Sequence, residues 1–162
     1  MSNVPIPISL FLTIQLLQVF DTTTQAENSP LEGAVRRIDA VAVYESLVAT
    51  GESRLVRLWD INTCQPLISW LAAKSVVTAL YMNDTMLASG SSAGIVKLWD
   101  LGRLLRHGAD TVVPLRKINM KGILQYPIKY LYQSTYTDLV IVAKYEGKKK
   151  KDKVKVVEVS WN

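Results

Sequence analysis

The chain has 162 residues, 49% of them hydrophobic, with a formal net charge of +5 and a single cysteine. That length permits one domain with a sizeable core, and that hydrophobic share excludes a disordered tail. One cysteine excludes an intrachain disulfide and a cysteine-built metal cluster, and because much of the positive excess lies in the single run GKKKKDK at 147–153, a uniformly basic nucleic-acid binder is not indicated.

The first apolar stretch is ISLFLTIQLLQVF at 8–20. It lacks a preceding basic residue, since the first is Arg36, and Gln15 and Gln18 interrupt it. It is also shorter than the roughly 20 residues of a membrane span. It reads as a strand or short helix packed on the domain rather than a signal peptide, and residues 1–32 form an N-terminal segment and linker.

From residue 33 the chain repeats itself. Ile38-Asp39-Ala40-Val41 aligns with Val77-Thr78-Ala79-Leu80, Val48-Ala49-Thr50-Gly51 with Leu87-Ala88-Ser89-Gly90, and Leu55-Val56-Arg57-Leu58-Trp59-Asp60 with Ile95-Val96-Lys97-Leu98-Trp99-Asp100. Ile38 to Val77 is 39 residues and Trp59 to Trp99 is 40, because the second copy carries one more residue in the turn after its glycine. A repeat of this length marks a stacked or radial architecture. Each copy breaks into short apolar, β-rich runs. These are 37–43, 47–51, 54–59 and 67–71 in the first, then 76–82, 85–90 and 94–99 in the second, with 112–118 as the strand leading to the third. A worn third copy follows, with strands at 127–132, 138–145 and 153–159, Val157 in the place of the tryptophan and Glu158 in that of the aspartate.

RLVRLWD and GIVKLWD, each preceded by a small residue and glycine, resemble the motif of the WD-repeat β-propellers. The resemblance covers 47–100 strongly and reaches 162 weakly. It implies an all-β partial propeller of about three four-stranded antiparallel blades, at 33–71, 72–118 and 119–162. It implies that Trp59 and Trp99 are buried between blades at the ends of third strands, with Thr50 and Ser89 as hydrogen-bond partners. Asp60, with Thr63, is expected to cap the next turn. Asp100 lacks that partner. The family's Gly-His is replaced by Gly33-Ala34 and Ala72-Ala73, and its turn aspartate by Ser53 and Ala93, so the usual buried network is expected to be half present. Losing both partners of a buried pair costs less than losing one.

No catalytic group emerges. Carboxylates stand singly, mostly at turns, and the sole histidine, His107, lies in the polar stretch LRHGAD, read as a loop. GSSAGIVK is not a phosphate loop, because Ile95 follows Gly94 and a strand rather than a helix comes next. Asn83-Asp84-Thr85 is a formal glycosylation sequon. No enzyme activity, metal or cofactor is expected. Lys148, Lys149, Lys150 and Lys151, with Lys153 and Lys155, read as a solvated loop that could contact a polyanion or serve nuclear import. Tyr130 and Tyr132 share a strand face and read as edge-of-core packing.

The expected function is a protein-interaction scaffold or substrate-recognition module, in a cytoplasmic or nuclear setting and without a membrane span. The alternative is an RNA- or phospholipid-associated subunit using the lysine-rich loop 148–155. Propellers close with typically four to eight blades. Three blades leave two faces bare, so the expected partner is another chain completing the ring, or self-association.

Overall fold

The computed structural model describes residues 8–12, 17–21, 37–108, 112–120, 127–133, 138–146 and 152–160. Strands β1 (Ile8–Leu12) and β2 (Leu17–Asp21) pair antiparallel as a hairpin. The apolar segment is thus two strands rather than one element, with its polar Gln15 outside the described residues.

The next four strands, β3 (Ile38–Tyr44), β4 (Leu47–Glu52), β5 (Leu55–Asp60) and β6 (Gln65–Leu71), form an antiparallel sheet in chain order. A second sheet repeats the arrangement with β7 (Val77–Met82), β8 (Met86–Ser91), β9 (Ile95–Asp100) and β10 (Arg116–Asn119). The third holds β11 (Ile128–Gln133), β12 (Asp138–Glu146) and β13 (Asp152–Ser160). Where four strands were expected, the third blade therefore has three among the described residues. The stretch 112–118 is mostly connection, and its end supplies the outer strand of the second blade.

Between β9 and β10 the chain forms a helix, α1 (Leu101–His107), which corrects the reading of LRHGAD as a loop. Asp100 caps it, its carboxylate accepting from Arg103 N at 2.7 Å. Gly108, at φ 70°, closes the other end with its N–H on the Leu104 carbonyl at 3.2 Å. Leu101 and Leu104, three apart and so on one face, are buried against the first two blades. His107 is exposed in the last turn, where a basic residue suits the helix dipole.

Strand alternation gives every blade two unlike faces. Ala49, Val56 and Leu58 of the first blade meet Val77, Leu80, Leu87 and Trp99 of the second in one core cluster. In a second cluster Ala88, Val96 and Leu98 meet Ile128, Leu131, Leu139 and Ile141 of the third. The first strand of each sheet lies against the preceding one, and polar ties brace the junctions. Val77 N donates to Ser53 O at 2.6 Å, Thr78 Oγ1 to Ile128 O at 2.5 Å, and Tyr81 OH to Gln133 Oε1 at 2.7 Å. A β-bulge recurs at the same place in each first strand, between Ile38 and Ala40, Val77 and Ala79, and Ile128 and Tyr130. These bulges fix the equivalence of the three copies.

The expectation of two bare end faces is met at one end only. On the outer face of the first blade Ile38, Val48, Trp59, Ile61 and Cys64 are all buried, and the Arg57 guanidinium stacks on Trp59 at 5.1 Å from the ring centre. On the third blade Tyr130, Tyr132 and Val156 stand 68%, 47% and 54% exposed. Tyr130 and Tyr132 are therefore not core packing. The bulge turns them away from the junction that holds Ile128 and Leu131.

The glycines of the repeat are set by this junction. A Cβ on Gly90 would lie 2.6 Å from Ile128 Cγ2 and 2.8 Å from its Cβ, whereas one on Gly51 would meet Val77 Cγ1 at 3.0 Å. Overpacking a well-filled junction costs about 1–3 kcal/mol. Gly90→Ala should fall at the upper end of that range and Gly51→Ala below it, measured by urea unfolding. Gly90→Ala combined with Ile128→Ala should lose less than the sum of the single changes, because the 2.6 Å approach to Cγ2 is removed while the one to Cβ at 2.8 Å stays. Strict additivity would show that the contact does not set the spacing.

Candidate functional site

The motif Val-basic-Leu-Trp-Asp puts its basic residue and its tryptophan two apart, hence on one face of the strand. In the first blade Arg57 sits opposite Thr50 and Trp59 opposite Val48. In the second, Lys97 sits opposite Ser89 and Trp99 opposite Leu87. The result is two copies of one arrangement. Trp59 Nε1 donates to Thr50 Oγ1 at 2.9 Å, and Trp99 Nε1 donates to Ser89 Oγ at 2.9 Å. Both indoles are buried, and each basic side chain lies over its ring, with Lys97 Nζ 5.3 Å from the centre of Trp99. Trp70 of β6 meets Trp99 edge-on at 5.6 Å, across the junction of the first two blades. Trp70 was not singled out from the sequence, because it falls outside the repeated motif.

The copies differ at one register position. In the first, Thr50 passes its own proton to Glu52 Oε1 at 3.0 Å, and that oxygen lies 3.5 Å from Arg57 Nε. Glu52 is 1% exposed, so a carboxylate buried behind the indole takes the acceptor role that the sequence left vacant. Sequence reading placed Glu52 in a turn. Its side-chain direction follows from β4 running one residue further than expected. In the second blade the equivalent of Glu52 is Ser91, each pairing with the residue that opens its first strand. Ser91 Oγ turns to Ile95 O at 3.1 Å. Among the described residues no acceptor takes the Ser89 proton.

A cavity of about 80 Å³ opens beside Ser89. Ser91, Lys97, Lys117 and the connection Ala72–Ser75 help to line it, and among the described residues none that lines it is acidic. Lys97 Nζ donates to the Ala72 carbonyl at 2.6 Å. Burial pulls the Lys97 ammonium below the usual lysine range, and repulsion from Lys117 and Lys74 adds to it.

In the third blade the register corrects the sequence alignment by two residues. Leu139 pairs with Val159 as Val48 does with Trp59, and Ile141 pairs with Val157 as Thr50 does with Arg57. Val159, not Val157, holds the tryptophan position, and Ser160 rather than Glu158 follows it. Ile141 stands where the other blades carry the hydroxyl, so indole and hydroxyl have been replaced together by an apolar pair, which strands no buried polar group.

The aspartates after each tryptophan both cap. Asp60 Oδ1 accepts from Asn62 N at 2.8 Å, and Asp100, which has no threonine three residues on, caps α1 through Arg103 N. Asn83 of the sequon folds its side-chain oxygen onto Thr85 N and Met86 N at 3.1 and 2.9 Å, which closes the turn between β7 and β8. Burial, with Asp60 nearby, raises the Cys64 thiol above its ordinary value, so it is a packed thiol rather than a reactive one. Lys148, Lys149, Lys150 and Lys151 lie outside the described residues, while Lys153 and Lys155 belong to the backbone of β13. Among the described residues no helix is long and apolar enough to cross a membrane, and no group of three or more His, Cys, Asp or Glu is placed to hold a metal.

Several solved structures share this architecture. A computationally designed protein, Ika4, superposes with a TM-score of 0.68 at 23% identity over 93% of this chain and 85% of its own. The WD40 repeats of RRP9 superpose with a TM-score of 0.66 at 14% identity, over 87% of this chain and 44% of theirs. The fold is that of WD40-repeat propeller blades. In sequence, Mitochondrial division protein 1 of Pyricularia oryzae is 31% identical over 72 residues, which are 44% of this chain and 11% of that protein. The chain thus spans about a tenth of that relative's length. No protein-family profile matches the chain.

The WD40-like blades make a graded prediction. Thr50→Val strands the Trp59 N–H and also removes from Glu52 Oε1 its hydroxyl donor, leaving it only Arg57, whereas Ser89→Ala strands only the Trp99 N–H. At about 1–3 kcal/mol per stranded group, Thr50→Val should cost clearly more in urea unfolding. The excess should shrink when Glu52→Ala is made in the same chain. Equal costs for the two single changes would show that Glu52 is not coupled to Thr50.

Proposed function

We propose that the chain is a non-catalytic protein-interaction module, and that it binds through the outer face of its third blade. The observation that supports this reading is the row of Tyr130, Tyr132 and Val156, all exposed on that face. The corresponding face of the second blade, carrying Ala88 and Gly90, is covered by the third. Aromatic residues that combine an apolar body with a polar tip are enriched where proteins meet. The occupant we assign is a second copy of this chain. Tyr130, Val142 and Val156 lie in one register row across β11, β12 and β13, and Tyr132, Val140 and Glu158 in the next. A self-complementary two-fold contact could pair such rows.

Light scattering after size-exclusion chromatography tests this. The expected result is a concentration-dependent mass above that of the monomer, with the Tyr130→Ser, Tyr132→Ser double variant shifted to the monomer and melting at an unchanged temperature. A wild-type chain that stays monomeric at every concentration would overturn the assignment.

A further inference from the structure

The position occupied by Glu52 in the first blade has no carboxylate in the second. There the hydroxyl opposite the basic residue, Ser89, keeps its proton among the described residues. Among the described residues the basic residue, Lys97, reaches a backbone carbonyl and the face of Trp99. The space that a carboxylate would fill is a cavity of about 80 Å³, bordered by Lys74, Lys97 and Lys117 and by the hydroxyls of Ser75, Ser89 and Ser91. We propose that this junction pocket is a binding site for a phosphate-type oxyanion, which stands in the second blade where the Glu52 carboxylate stands in the first.

Three features favour that chemistry. The donors converge without a competing acid: the Ser89 hydroxyl corresponds to Thr50, which donates to Glu52, and the Lys97 ammonium corresponds to Arg57, which pairs with it. Ser75 accepts from Ala93 N at 3.3 Å and keeps its own proton to donate. Ser91, whose hydroxyl bonds to Ile95 on β9, clears the space rather than donating. The volume is several times the roughly 10–15 Å³ that one water needs and falls well short of the roughly 300 Å³ at which drug-sized ligand pockets begin. It suits one tetrahedral ion or one phosphoryl group entering from outside, and not a nucleotide. The charge also fits: an anion would relieve the repulsion among Lys97, Lys117 and Lys74 that, with burial, pulls the Lys97 ammonium below its usual range.

The test is calorimetric titration of the full chain at constant ionic strength, with inorganic phosphate in one arm, N-acetyl phosphoserine amide in the second and chloride in the third. Saturable heat is expected with phosphate and none with chloride. Tighter binding of the phosphoserine derivative would identify a phosphorylated segment as the source, and tighter binding of inorganic phosphate the free ion. Lys97→Met should weaken binding by about tenfold or more, as for a lost charged hydrogen bond. Ser91→Glu, which builds the first blade's carboxylate into the second, should abolish phosphate binding and raise the melting temperature without phosphate. Should Lys97→Met fail to fold, Ser91→Glu decides alone. Heat from phosphate no different from that of chloride, or undiminished in Ser91→Glu, would overturn the proposal.

Discussion

Each blade meets the next where a strand carries no side chain: Gly51 lies under Val77, and Gly90 under Ile128. That close approach is the constraint on which the arc depends. It draws the first strand of one sheet onto the second strand of the preceding one, and in the second blade the face so covered is the one that holds Trp99. On a sealed face each polar group left without a partner costs free energy, because water is excluded, and Glu52 Oε2 is one such group. The small-residue–glycine pair and the Trp–Asp pair of the repeat are thus two sides of one packing problem. The first makes room for the following blade, and the second fills the room that the preceding blade makes.

The three blades solve the polar half of that problem in descending complexity. The first builds a relay from Trp59 through Thr50 to Glu52 and Arg57. The second keeps indole and hydroxyl but has a cavity in place of the carboxylate. The third has neither, with Val159 and Ile141 in their places. In the third blade indole and hydroxyl leave together and an apolar pair replaces them, whereas the first keeps one buried carboxylate oxygen, Glu52 Oε2, without a partner. The cost falls on packing instead. A large indole is replaced by valine in the third blade, and Val157 and Val159 are only partly buried there.

Most of the fold was legible because its markers are local. Alternating apolar runs, turns at regular intervals and a duplicated heptad place the strands of the first two blades within a few residues. What was not legible has physical reasons. Helix α1 is short and rests on Asp100 as a cap, and a capping aspartate looks the same in sequence as one that closes a turn. Glu52 faces inward only because β4 extends past its glycine, and an acidic residue at a strand end ordinarily faces water. The third copy was aligned two residues off because it has no tryptophan to anchor it, and only the recurring bulge in its first strand restores the register. The pocket at the second junction is invisible in sequence, since it arises from what Ser91 does not fill.

The same constraint bears on how the arc continues. The position equivalent to Gly51 and Gly90 in the third blade, by register, is Val142, which pairs with Tyr130 as Gly90 pairs with Ala79. Ala49 and Ala88 have Val140 as their counterpart, beside Tyr132. Small residues are thus replaced by branched ones where a following strand would have to come nearest. A Cβ at such a position already falls 2.6 Å from a neighbour when built on Gly90. A following blade docked in the geometry of the first two junctions would find no glycine at this register position. What that face does carry in the open is Tyr130, Tyr132 and Val156, and the proposed self-association rests on those side chains.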